Sequence, residues 1–114
     1  MVFTDSLLKN ADFQKVYRKG KSYANKYFIM YVLGNNTDRN RLGISVSKKV
    51  GNSIVRHRVK RLVKENYRLH ENIFNSGLDI VVLARSSASS VTFEETDCAL
   101  FHLAKLHRII NKVE

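Results

Sequence analysis

One segment narrows the architectures open to this 114-residue chain more than any other. Arg41 to Ser47 reads as a strand, Lys48 to Asn52 as a turn, and Asn52 to about His70 as a helix capped by Asn52 or Ser53. At about 100° per residue that helix gathers Val55, Val59, Leu62, Val63 and Leu69 on one side with Asn66. Arg56, His57, Arg58, Lys60, Arg61, Lys64 and Arg68 fill the other side. The apolar arc has to be buried, and the strand feeding the helix means that a sheet is there to bury it. After the break at Asn75-Ser76-Gly77, Leu78 to Ala84 is a near-continuous apolar run. Such a run predicts a strand covered on both faces, central in its sheet.

The other elements follow from local pattern. Asn10 to Lys19 predicts a short helix, capped by Asn10, stopped by Gly20, with Phe13, Val16 and Tyr17 on one face. Ser22 to Leu33 predicts extended chain, and the Gly34 to Asp38 turn predicts a hairpin into Arg41 to Ser47. Ser86 to Ser90 reads as a polar loop. Thr92-Phe93-Glu94-Glu95 has the spacing of a capping box and opens a last helix running to about Lys112. The order α-β-β-α-β-α predicts an α+β protein, a two-layer sandwich on a small mixed sheet. Its length allows one domain over 1–114, with 44% hydrophobic residues to form a core.

Charge narrows the function. The net charge is +10, and from Lys48 to Arg68 eight Lys or Arg stand against the single acid Glu65. A solvated surface helix ordinarily mixes signs at i,i+4 spacing, whereas here like charges repel along a stripe, which favours a polyanionic partner. A spanning segment is not expected, since no apolar run approaches about 20 residues. The start Met1-Val2-Phe3-Thr4-Asp5 lacks the pattern of a signal peptide, and a lone cysteine, Cys98, fits a reducing compartment; both point to the cytoplasm. The turn at Lys48–Asn52 is not a Walker A loop, so a nucleoside triphosphate is not expected.

Aromatic residues interleave with the cations. Phe13 and Tyr17 share a helix face, and Tyr27, Ile29 and Tyr31 share a strand face. These rings read equally well as core and as the floor of a cleft that stacks unpaired bases. Catalytic patterns are poor. The acids do not cluster as a two-metal nuclease requires, and Cys98 with His102 supplies two metal ligands at most. A general RNA-binding module, a helix-turn-helix DNA binder and a protein-only nuclease are the alternatives. The second lacks a paired helix before Asn52.

The run Gly43-Ile44-Ser45-Val46-Ser47-Lys48-Lys49-Val50-Gly51-Asn52, followed by Arg56-His57-Arg58-Val59-Lys60-Arg61, closely resembles the protein subunits of bacterial ribonuclease P. The likeness continues through Asp12-Phe13-Gln14-Lys15-Val16-Tyr17, Gly20-x-Ser22, Ala24-Asn25, Tyr31 and Ala84-Arg85. It implies a ribonucleoprotein that removes the 5′ leader from precursor tRNA. In that family a large RNA is the catalyst and uses Mg²⁺, bound mainly by the RNA, while the protein carries no catalytic residue; no organic cofactor is expected. The implied partners are the catalytic RNA and precursor tRNA, with no membrane and no obligate protein partner. The implied fold holds the basic helix in a left-handed β-α-β crossover, against the usual right-handed rule. By resemblance, Arg56, Arg58, Lys60, Arg61 and Lys64, with His57 and Arg68 on the same face, contact the catalytic RNA. Phe13, Tyr17 and Tyr31 line a cleft for the single-stranded leader, with Asn25, Lys48 and Arg85 on its rim. Two positions depart from the family pattern: His57 stands for the middle Asn of R-N-R, and Ser86-Ser87 replaces a frequent proline.

Overall fold

Alternation along the strand β5 (Leu78–Ala84) decides how the chain is layered. Ile80, Val82 and Ala84 face one side and Val81 the other, all buried, so both sides need a cover. The computed structural model, which describes residues 4–110, provides one on each face. The helices α2 (Ser53–His70) and α3 (Phe93–His107) pack on the first face over Phe28, Met30 and Leu42. The helix α1 (Asn10–Lys19) packs Val16 on the opposite face against Val81 and Leu7. The α+β class stands as expected, with helices on two faces of the sheet rather than in one layer.

The remaining strands are β1 (Thr4–Ser6), β2 (Lys21–Ala24), β3 (Phe28–Gly34) and β4 (Asn40–Ser45). The sheet runs β1-β4-β5-β3-β2. β4 is parallel to β1 and to β5, whereas β3 is antiparallel to β5 and to β2. The apolar run therefore holds the centre, as its composition predicts, and α2 connects the parallel neighbours β4 and β5.

The expected hairpin from Ser22–Leu33 into Arg41–Ser47 does not form, because β5 pairs with both β3 and β4 and separates them. The turn itself is real. Asn35 accepts from the Thr37 amide at 3.0 Å, and its own amide donates to the Gly77 carbonyl at 2.9 Å. Gly77 has φ +80°, and a Cβ there would stand 2.6 Å from the Thr37 carbonyl oxygen, so this junction needs glycine. Ser22–Leu33 is likewise two strands rather than one. Asn25 bends the chain by accepting from the Tyr27 and Phe28 amides at 3.2 and 3.1 Å. β1 went unpredicted, since Thr-Asp-Ser has little strand character; its pairing with β4 is supported by Thr4 Oγ1 and Tyr67 Oη, 2.8 Å apart.

α2 has the predicted span, and Asn52 Oδ1 caps it by accepting from the Val55 amide at 3.0 Å. α1 also has its predicted span, but Lys9 occupies the cap position and Asn10 is the first helical residue. The capping box at α3 is present, with Thr92 and Glu95 each bonding the other's backbone amide. That helix ends at His107 rather than near Lys112, because Arg108 turns left-handed at φ 58°. Asn111 and Lys112 lie outside the described residues, as does the start Met1-Val2-Phe3. Ser86–Ser90 is a short 3-10 turn rather than an irregular loop. Among the described residues no helix is long and apolar enough to cross a membrane.

Candidate nucleic-acid interface

The roll of α2 on the sheet sets which of its cations reach solvent. Val59, Val63, Asn66 and Tyr67 are the buried residues, an arc that lies roughly 100° from Leu69. Leu69 is accordingly half exposed, against the expectation that it joins the apolar face, and Tyr67 takes that place. Arg56 and Arg58 are partly covered, while His57, Lys60, Arg61, Lys64 and Arg68 stay exposed. Arg56 Nε is buried without a hydrogen-bond partner. Arg58 Nη2 donates to the Val91 carbonyl at 2.6 Å and so fastens α2 to the lead-in of α3. Arg68 makes a two-bond pair with Glu65, at 3.1 and 2.5 Å, which holds the Glu65 carboxyl below its usual range. His57, Lys60, Arg61 and Lys64 remain as a cluster on an open flank.

On the other face, Phe13, Tyr17 and Tyr31 come together, without Tyr27. Tyr17 and Tyr31 stack edge-to-face with centroids 4.9 Å apart, and Phe13 lies 6.2 Å from Tyr17. Phe13 can come this close to β4 only because residue 43 is glycine; a Cβ there would stand 2.7 Å from its ring. Only Val16 is fully buried on α1, so apolar burial alone holds this helix weakly. A polar clamp adds to it. Arg41 grips buried Asp79 through two bonds of 2.8 and 2.6 Å and reaches Asp12 of α1 at 3.5 Å. Burial pushes the Asp79 carboxyl up, but the bonds from Arg41 and Asn35 outweigh it and leave its pKa below the ordinary value.

Beside this helix runs a groove of about 400 Å³, walled by Phe13, Gln14, Tyr17, Ile44, Val46 and Lys60. Tyr31 stands behind Tyr17, outside the wall. Lys60, expected with the catalytic-RNA set, reaches across from α2 to the aromatic groove; no local pattern signals that. Tyr27, read as a floor residue beside Tyr31, points instead to α3, where its hydroxyl donates to Glu95 at 2.7 Å. The cause is that β3 begins at Phe28 and residue 27 belongs to the turn.

The three rim residues separate. Lys48 is exposed in the turn after β4. Asn25 and Arg85 meet each other, Arg85 Nη1 donating to the Asn25 carbonyl at 2.7 Å. They sit where Phe28 pairs with Ala84, roughly 10 Å along the sheet from the Tyr31–Val81 pair. The Asn25 side chain is committed to the fold, since its Nδ2 also donates to the Ala99 carbonyl at 2.9 Å. Cys98 is exposed and unpaired. Among the described residues no group of three or more His, Cys, Asp or Glu could hold a metal ion.

A cationic helix flank beside an aromatic groove, on a small α+β sheet, defines an RNA-binding protein. Comparison with known proteins makes this specific. The family model for Ribonuclease P matches residues 1–108. The ribonuclease P protein component of Lachnoclostridium phytofermentans is 56% identical over 111 residues, covering 97% of this chain and 96% of that protein. The Clostridioides difficile component is 50% identical, covering 90% of each. Among solved structures, the Staphylococcus aureus RNase P protein superposes with a TM-score of 0.86 at 41% identity, over 93% of this chain and 97% of that one. The Thermotoga maritima protein gives 0.82 at 34%, over 90% and 96%. This chain belongs to the ribonuclease P protein family. It is a protein component of that endoribonuclease, which matures the 5′ ends of tRNA together with an RNA subunit.

Proposed function

We propose that this protein bridges two RNAs, holding the catalytic RNA on the exposed flank of α2 and the single-stranded leader of precursor tRNA in the aromatic groove. The observation that carries the reading is that Phe13 and Tyr17 open onto a groove whose far wall is Lys60 of the basic helix. Stacking on the rings suits unpaired bases of any sequence, and a neighbouring ammonium neutralises the phosphate between them. Mg²⁺ then belongs to the RNA, and the protein lowers the concentration needed by supplying fixed positive charge. Arg61 and Arg68 face outward for the catalytic RNA, whereas Arg58 divides its role between RNA and fold. His57 in the R-x-R position offers an imidazole N–H as a donor. The lone cysteine supports a cytoplasmic site of action.

The test is 5′-leader removal from a labelled precursor tRNA at low Mg²⁺, with catalytic RNA alone, protein alone and both. Cleavage that is much faster with both supports the reading. Equal cleavage with and without protein removes it, and cleavage by repurified protein alone moves the chemistry to the protein.

A further inference from the structure

A second groove of about 420 Å³ adjoins the first, between the β1–β4 edge and α2. Its floor is apolar, from Leu8, Leu42 and Ile44, and Lys60, Arg61 and Lys64 stand along one wall. It has Leu8, Ile44 and Lys60 in common with the aromatic groove, so the two form one trough with Lys60 at the join. The trough exists because β1 stops early: it pairs with Asn40, Arg41 and Leu42 only. Among the described residues, no strand covers the outer edge of β4 from Gly43 to Ser45. Leu8 is 82% exposed at this place, whereas its neighbour Leu7 is 2% exposed in the core beneath α1.

The chemistry of the trough selects its occupant. Each half has the size of a small-ligand cleft. A duplex keeps its base faces stacked internally and has nothing to set against a leucine floor. A single strand presents both what the floor accepts and what the wall accepts: apolar base faces below, phosphates beside the three cations. We infer that the leader strand does not end at Phe13 but continues over Ile44 and Leu8. There at least one further nucleotide lies against α2, with its phosphate on Lys60 and Lys64. This rests on the leader reading proposed above and deepens it. It also divides the basic helix by face: Lys60 and Lys64 serve the leader, and Arg61 and Arg68, turned further outward, serve the catalytic RNA.

The experiment uses enzyme reconstituted with the catalytic RNA and a series of precursor tRNAs of increasing leader length. Wild-type affinity rises in increments as each part of the trough fills. Leu8→Ser removes one increment, weakening long-leader precursors about tenfold, equivalent to about 1.4 kcal/mol. Leu8→Tyr, which offers a ring in place of the leucine, restores or enlarges it. Neither variant changes the affinity for mature tRNA or for the catalytic RNA. A full set of increments in Leu8→Ser overturns the inference while leaving the aromatic groove in place. Loss of catalytic-RNA affinity in step with the leader effect overturns it too, by giving the groove to the other RNA. A wild type indifferent to leader length removes both this and the proposed function. Photo-crosslinking from Leu8→Cys in a Cys98→Ser background reads the neighbour directly: leader nucleotides support the assignment and catalytic-RNA nucleotides refute it.

Discussion

Gly43 is the residue whose absence of a side chain does most for the groove. Adding one methyl group drives it into the Phe13 ring from 2.7 Å, and overpacking of this kind costs about 1–3 kcal/mol where the neighbour cannot give. Phe13 lines the groove, so a ring that yields changes the groove's shape. Gly43→Ala is therefore expected to cut leader-dependent affinity several-fold and leave catalytic-RNA affinity unchanged, as measured by precursor against mature tRNA binding. The two arginines Arg58 and Arg61 make a second contrast. Arg61 is exposed and makes no hydrogen bond among the described residues, so Arg61→Ala should lower the salt slope of RNA binding by about one with no change in melting temperature. Arg58→Ala should lower both, because its bond to the Val91 carbonyl joins two elements. A melting temperature unmoved by Arg58→Ala would show that bond to be dispensable. Residue types at the site were legible in the sequence; their commitments were not. Asn25 reads as a rim amide, yet its partners in α3 lie more than seventy positions away along the chain.

At the scale of elements, α3 is tied to the sheet by a group whose charge depends on pH. His107 Nε2 lies 2.8 Å from the Met30 carbonyl, and its ring packs edge-on to Tyr23 at 4.7 Å. Burial lowers the imidazole pKa below 6.5, the bond to Met30 partly opposes this, and nearby Lys21 adds to it. The unfolded chain thus takes up a proton at a higher pH than the folded protein does. Stability is fully present above about pH 6.5 and declines as pH falls toward the depressed folded-state value. Melting temperature should drop between about pH 7 and 5, and His107→Gln should drop less over that interval. Identical profiles would acquit His107. Long periodic elements such as α1, α2 and β5 could be read from their residues because amphipathic spacing is a local property. The roll of α2, which decides that Leu69 is exposed and Arg56 is half-covered, is set by the sheet beneath it. The partner of each strand is likewise a long-range choice: β4 lies beside β5, not beside the strand that precedes it in sequence.

For the whole molecule, the balance is electrostatic. With a net charge of +10, binding to the catalytic RNA should weaken with salt at a log–log slope of roughly −4 to −5 if about six phosphates are engaged. A slope near zero would mean that the basic helix is not the contact. The class of protein could be told from charge and aromatic placement, but the trough could not, since it arises where β1 ends and no composition marks that end. The same early ending matters for the protein before it meets RNA. The stretch of β4 that no strand covers among the described residues offers its edge to any passing strand, including that of another copy. Mutual repulsion between highly cationic molecules keeps such edges apart, and added salt screens that repulsion within about 10 Å at 0.1 M. A stock of free protein should therefore scatter more light as salt rises, and less once RNA lies along the edge.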